Sequence, residues 1–402
     1  MKNCLNIGLS ALLIFGTVNF VRGQGDSETI IIPRHVNTIG GTKPTPVALD
    51  GFSGEVAEAL KFDLYVQGFS FVSPAQAQYI ISGSNAGNIA GKVTDSAKRP
   101  IMPPKSYTGA SPRTQAHALA NDIVQAITGK PGISTQRGTT ARIAFKAQPS
   151  GGGAGEIYMA DLDGKNAQAV TSDHAIVAAP SWVPGRLALC YNSYAIEDSP
   201  YIFFHDLKSG DRKIIARYGG SCISPSVSPN GDRVTMVLSK NGRPNVFVAD
   251  IDGSHLLQLT DSEEDSSPCW SPDGRWICFA TKVNERRVLA KVSPGGGEVQ
   301  KIPTSPQPNP SEPDWSPDGK WIAFTSQSGN YFNVCVMPAD GSAAPIVVAA
   351  GEDPSWAPNS RTLIFARRDG YAYTLSVLDV FTKQSKDIAR ISGSDSEPSW
   401  AK

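Results

Sequence analysis

The chain reads as mainly β: a six-bladed β-propeller preceded by a small α/β domain. Three observations predict this. PCWSPDGRWICFA (268–280) recurs as PDWSPDGKWIAFT from Pro313; weaker copies start at Pro180, Pro225 and Pro354, and PSWAK starts at Pro398. The proline-to-proline spacings are 45, 43, 45, 41 and 44 residues. A period in the low forties with strand-like content is the signature of one blade per repeat. RIAFK (142–146) matches the strand after the turn, yet no PSW segment precedes it; the missing piece is 397–400. The last strand is therefore expected to join the first blade and close the ring, which removes an unpaired strand edge.

The repeat motif has a physical reading. In Ser-Pro-Asp-Gly, proline presets φ at the second turn position, and Asp and Gly tolerate the geometry that follows. The Trp before the turn sits on the inner strand, where it can bury roughly 150–250 Å² between blades. Trp182, Trp270, Trp315, Trp356 and Trp400 occupy that position, with Val227 in the remaining copy. Strands such as 156–161, 245–250 and 333–337 follow. Asp163-Gly164, Asp252-Gly253 and Asp340-Gly341 read as polar outer turns, and 256–259 as a fourth strand.

The N-terminal part divides further. Residues 1–23 have the charged start (Lys2) and apolar run of an export signal, too short and interrupted for a membrane span. Residues 24–135 form the small domain, 136–141 a linker and 142–402 the propeller. ETIIIP (28–33) and 47–49 read as short strands. Ser53 opens a helix to Val66, with Val56, Ala59, Leu60 and Leu64 near helical spacing and Gly68 as the stop. Residues 79–81 and 89–93 read as strands, and the proline-rich 95–106 as irregular. A second helix has Ser111 as N-cap, Pro112 in its first turn, the stripe Ala116, Leu119, Ala120, Ile123 and Ile127, and Gly129 as its stop.

Composition narrows the function classes. Thirty-seven basic and 37 acidic residues give zero formal net charge, which argues against a nucleic-acid footprint. The mature chain would keep Cys190, Cys222, Cys269, Cys278 and Cys335, an odd set that cannot close into disulfides. Buried thiols are expected, with Cys269 and Cys278 placed to pair across one turn. His35, His117, His174, His205 and His255 are scattered, and no GxSxG or HExxH motif is present. His117 reads as a packed helix residue rather than a ligand. Gly151-Gly152-Gly153 lacks the Lys-Ser/Thr of a phosphate loop and reads as a surface turn. No catalytic residue, metal ligand or cofactor is expected.

Acidic residues cluster just before the PSW motifs. Glu264, Asp265, Glu312, Glu352, Asp353 and Glu397 are expected to rim one mouth of the central channel. Such a ring either is a solvated rim or binds a basic partner loop or a cation, with salt-sensitive steering.

SPRTQAHALANDIVQAITGKPGISTQRGTTARIAF (111–145) resembles the TolB family, the periplasmic propellers of the Tol–Pal envelope system. There an Ala-His-x-x-Ala-Asp helix runs into Leu-Thr-Gly-x-x-Gly and then Thr-Arg-Ile-Ala-Tyr. Ala116, His117, Ala120, Asn121 and Asp122 sit in that helix, Thr128, Gly129 and Gly132 follow, and then come Arg142, Ile143 and Ala144. PVALDGF (46–52) and LKFDLYVQGFSFV (60–72) resemble the family's first strand and helix end, whereas the junction 133–141 is longer. The resemblance implies a monomeric, non-enzymatic periplasmic scaffold. The propeller mouth would bind the lipoprotein Pal, and the N-terminal segment (Glu28, Ile30, Ile31, Ile32) would bind TolA, supporting outer-membrane integrity during division. A secreted propeller enzyme or binding protein acting on polysaccharide is the alternative.

Overall fold

The computed structural model describes residues 39–402 except 137, 138, 141, 241, 389 and 392. The expected signal (1–23) and the segment with Glu28, Ile30, Ile31 and Ile32 lie outside the described residues. Among the described residues, no helix is long and apolar enough to cross a membrane.

The small domain runs β1 (Thr45–Asp50), α1 (Gly54–Tyr65), β2 (Phe69–Phe71), β3 (Tyr79–Ser84), β4 (Ile89–Asp95), β5 (Pro100–Tyr107) and α2 (Pro112–Thr128). Its sheet has the order β2-β1-β3-β4-β5. β1 runs parallel to β2 and β3, and the other pairs are antiparallel. The apolar stripes of both helices join the sheet in one core: Val56, Leu60 and Leu64 with Leu119 and Ile123, against Val47, Ile81 and Val93. α2 is capped at both ends. Ser111 Oγ accepts from the Thr114 N–H, and Gly129 takes the left-handed φ of 70°.

The stretch expected to be irregular, 95–106, holds β5. Its prolines are tolerated because β5 is an edge strand, where a missing N–H breaks no interior ladder.

Six antiparallel four-stranded sheets form the propeller. Numbered in chain order, blade I takes its innermost strand from the C-terminus: Ser394–Trp400 pairs antiparallel with Arg142–Gln148, Trp400 opposite Ile143. Blades II to VI start at Val177–Trp182, Cys222–Val227, Asp265–Trp270, Pro310–Trp315 and Glu352–Trp356. The ring closure is as expected.

The tryptophans are buried where the repeat puts them, Trp356 and Trp400 almost completely. Two also stitch blades together: Trp182 Nε1 donates to the Ser399 carbonyl (3.1 Å) and Trp270 Nε1 to the Ser226 carbonyl (3.0 Å). Truncating such a side chain typically costs roughly 3–5 kcal/mol. The turns are fixed by their own side chains. Ser271 Oγ accepts the Trp276 N–H (2.9 Å), and Asp273 Oδ1 accepts from Ser271 Oγ (2.6 Å) and the Arg275 N–H (3.1 Å). Ser316 and Asp318 repeat the pattern.

The five described cysteines are buried free thiols. Cys269 and Cys278 face each other across paired strands.

The small domain shares a core with the propeller. Phe62 and Val66 of α1 and Ile133 of the junction pack with Phe145, Ile364, Val377 and Trp400. Thr362 Oγ1 donates to the Val66 carbonyl (3.1 Å) and Gln384 Nε2 to the Phe69 carbonyl (2.9 Å). Across the expected boundary between small domain and linker, Thr135–Gln136 pairs antiparallel with Thr139–Thr140. Asp163, expected on an exposed outer turn, is instead buried and ion-paired with Arg113 of α2. Docking of the small domain covers that turn.

Candidate functional site

The residue before each inner-strand proline takes a left-handed backbone: φ is 52° at Ala179, 53° at Ser224, 51° at Ser267, 50° at Glu312, 55° at Asp353 and 52° at Glu397. Strand register shifts at each of these points, for instance between Ser311 and Asp314 and between Ser396 and Ser399. Each blade therefore carries a β-bulge at the channel, where an extra residue is left out of the ladder and its side chain is re-aimed. Proline suits the neighbouring position because it brings no N–H to an interrupted ladder.

These six residues and their prolines line a cavity of about 490 Å³ at one end of the channel, together with Glu352 and Asp314. Glu312, Asp353 and Glu397 belong to successive blades V, VI and I, so the acids form one arc. Ala179, Ser224 and Ser267 form the other half. Glu352, Asp353 and Glu397 also line a side cleft of about 600 Å³ with Lys146, Gly151, Gly152, Tyr371 and Tyr373.

Counting from the proline sorts the expected rim residues. Glu312, Asp353 and Glu397 stand one residue before it and Glu352 two, and all four reach the cavity. Glu264 and Asp265 stand four and three residues before Pro268 and are not among its lining residues. Glu264 pairs with Arg287 Nη2 (2.5 Å). Asp265 is buried at the start of its strand, where it accepts a hydrogen bond from Thr260 Oγ1. The expectation of six acids on one opening is corrected to four.

Two of the acids also join the ring. Glu397 Oε2 accepts the Ala179 N–H of the next blade (2.6 Å) and pairs with Lys146 (3.3 Å). Glu312 Oε2 accepts the Asp353 N–H (3.3 Å) and the Thr325 hydroxyl (2.6 Å). A second tier runs in the same direction deeper in the channel. Ser181 Oγ accepts the Val227 N–H (3.3 Å), Asp314 Oδ2 the Trp356 N–H (2.7 Å) and Ser355 Oγ the Trp400 N–H (3.1 Å). Lys402 pairs with Asp314 (2.7 Å) at the other, tryptophan-lined end of the channel.

The electrostatics are uneven. Burial raises the Asp353 carboxyl well above the aspartate range, and the carboxylates of Glu312, Glu397 and Glu352 push it further. Burial likewise raises Glu352, with the Tyr373 hydroxyl opposing and Glu312 adding to the rise. Tyr373 itself is pushed up to about 12 by burial and its bond to Glu352. Proton affinity is thus raised on one side of the arc, and a cationic group or metal ion placed there would oppose that rise.

Two features were not read from the sequence. Tyr331 and Tyr371, 78% and 103% exposed, sit on the tips of the second-to-third-strand hairpins of blades V and VI, at the same end as the acids. The turns before them, Gly329-Asn330 and Asp369-Gly370, were the available signal. An acidic mouth flanked by exposed aromatic tips is chemically a docking surface for a basic, partly apolar segment.

Comparisons with known proteins agree with this architecture. The TolB beta propeller domain model matches residues 124–402. A TolB homologue from Chlorobium chlorochromatii is 29% identical over 203 residues, 49% of this chain and 44% of the relative. The Tol-Pal system protein TolB of Anaeromyxobacter dehalogenans is 28% identical over 163 residues, 40% of this chain and 36% of the relative. The matched stretch therefore spans less than half the length of these curated relatives. The crystal structure of TolB from Acinetobacter baumannii superposes with a TM-score of 0.79 at 21% identity, covering 90% of this chain and 98% of that one. With a family match over well over half its length and the propeller fold to go with it, the chain belongs to the TolB beta-propeller family.

Proposed function

We propose that the protein is a non-enzymatic periplasmic scaffold of the Tol–Pal envelope system. A Pal-like lipoprotein docks at the acidic mouth, and a TolA-like protein takes the N-terminal segment around Glu28, Ile30, Ile31 and Ile32 as an added strand. The two contacts together support outer-membrane integrity during division. The observation that carries the mouth assignment is the continuous arc Glu312, Asp353 and Glu397 with Tyr331 and Tyr371 beside it.

The decisive experiment is calorimetric titration of the full chain with a Pal-like lipoprotein. Glu312→Gln with Glu397→Gln removes two charges but keeps an oxygen acceptor for each backbone amide. We expect at least tenfold weaker binding, about 1.4 kcal/mol, with a steeper salt dependence in the parent than in the variant. Asp252→Asn with Asp340→Asn, on exposed outer turns, should bind like the parent. Equal affinities for both double variants would remove the mouth as the docking site and revive the polysaccharide reading. Deleting residues 24–33 should abolish capture of a TolA-like protein with an unchanged melting curve. Retained capture would exclude that segment.

A further inference from the structure

A second cluster of ionisable groups lies where α2 meets blade I, away from the channel. His117 and Asp63 are both fully buried, and His117 Nδ1 lies 2.6 Å from Asp63 Oδ2. With Nδ1 engaged by Asp63, Nε2 is the ring atom turned to another partner. His117 Nε2 has no hydrogen-bond partner in the structure. Asp161 and Asp163, at the end of strand Glu156–Asp161 and in the following turn, are also buried. One ligand atom from each of His117, Asp161 and Asp163 lies within 4.8 Å of the other two.

The charges do not balance as they stand. Asp63, Asp161 and Asp163 are three formal negative charges. The buried cation beside them is Arg113, one turn before His117 on α2 and paired with Asp163. Glu55, which also touches Arg113 (3.4 Å), is largely solvent-exposed. Arg113 alone does not offset the three carboxylates, and the remainder is costly in a low-dielectric site unless a proton on His117 or a bound cation answers it. A divalent cation would supply that charge.

We propose that His117 Nε2, Asp161 and Asp163 hold a divalent transition-metal ion of the Zn²⁺ class that fastens the small domain to blade I. An imidazole with two carboxylates suits Zn²⁺ better than Ca²⁺ or Mg²⁺, which favour all-oxygen sets. Donors around a tetrahedral zinc ion stand about 3–3.5 Å apart, so small side-chain adjustments close the site. Asp163 Oδ2 pairs with Arg113, and Oδ1, which accepts the Lys165 N–H (3.2 Å), would carry its second lone pair to the metal. Asp63 is the outer-shell carboxylate that orients a ligating histidine. Asp161 also lines an open cleft of about 470 Å³ between α2 and blade I, with Thr114, Ala118, Arg142 and Asn166, the side from which an ion would reach the cluster. The competing occupant is a proton on Nε2, which would bind Asp161 or Asp163 without any metal.

The test uses the full chain, stripped with EDTA, dialysed and titrated with ZnCl₂ by calorimetry, with metal content measured alongside. We expect one zinc per chain, a higher melting temperature on loading, and no comparable effect of CaCl₂ or MgCl₂. Asp161→Asn, close to the parent in shape, should melt within a few degrees of the stripped parent and lose zinc affinity at least 100-fold. Asp63→Asn should weaken it 10–100-fold. A stripped parent that takes up no zinc overturns the proposal in favour of the protonated, metal-free pair. Equal titration of parent and Asp161→Asn also overturns it, assigning the uptake to the buried thiols.

Discussion

The two halves of the channel mouth share one backbone and differ in chemistry. Blades II, III and IV put Ala179, Ser224 and Ser267 at the bulge; blades V, VI and I put Glu312, Asp353 and Glu397 there. All six positions keep nearly the same left-handed φ, so the bulge does not depend on the side chain it carries. The hairpin tips differ in the same sense. Exposed tyrosines cap blades V and VI, whereas Glu197-Asp198 and Asn284-Glu285 cap blades II and IV. The propeller fixes where a bulge residue points, and the side chain is then free to serve binding. The cost is local: carboxylates gathered in one arc repel, which raises the proton affinity of Asp353, and the ring answers with Lys146 and backbone amides.

The largest expected effect comes from breaking the acidic half outright. Deleting residues 397–402 removes Glu397 and Trp400 and leaves the edge of strand Arg142–Gln148 open. Because one buried tryptophan alone accounts for roughly 3–5 kcal/mol, we expect aggregation on heating and loss of the cooperative melt. An unchanged melting curve would mean that the ring closes some other way.

A smaller effect should be shared by both halves. A β-branched side chain is poorly accommodated at positive φ. Ser267→Val and Asp353→Val should therefore each lose about 1–2 kcal/mol, measured by urea unfolding against Ser267→Ala and Asp353→Asn as references. A loss confined to one half would show that the bulges are not equivalent and that the acidic side carries a backbone demand of its own.

The same comparison explains what was legible in the sequence. Period, turn chemistry and tryptophan positions are local signals, and they specify blade number, register and even the split blade, because a missing strand at one end matched a surplus at the other. The acids were only partly legible. The chain advances about 3.3 Å per residue along a strand, so Glu264 and Asp265, four and three residues before Pro268, lie farther from the bulge than Glu312, Glu352, Asp353 and Glu397, which stand one or two residues before their prolines. Offset from the proline was the discriminating variable. Strand Pro100–Tyr107 was hidden because its prolines disfavour a strand except at an edge, and edge position is a tertiary property. The pairing of His117 with Asp63, 54 residues apart on two helices, leaves no local pattern at all.

The subtlest way to sharpen the comparison is pH. Asp353 holds its proton above the ordinary aspartate range, first through burial and then through the carboxylates of Glu312, Glu397 and Glu352. Between the unfolded value, near 4 for aspartate, and the higher folded value, the native state binds more protons than the unfolded one. The slope of unfolding free energy with pH is then negative. This group's contribution is fully present below the unfolded value and is lost as pH rises through the folded one. Urea midpoints taken upward from about pH 4 should carry that decline in the parent, and Asp353→Asn, which cannot ionise, should lack it. The difference curve cancels the carboxylates that do not interact with Asp353 and reports Asp353 together with its neighbours Glu312, Glu352 and Glu397. Ser224→Asp supplies the counterpart in the other half. Its flanking bulge residues are Ala179 and Ser267, so it meets burial without the three neighbouring charges. Its added decline should be shallower than the one Asp353 gives the parent. If the two declines match, burial alone sets the proton affinity and the arc of acids is electrostatically inert. If Asp353→Asn follows the parent curve throughout, Asp353 titrates alike in the folded and unfolded chain, and neither burial nor the arc raises its proton affinity.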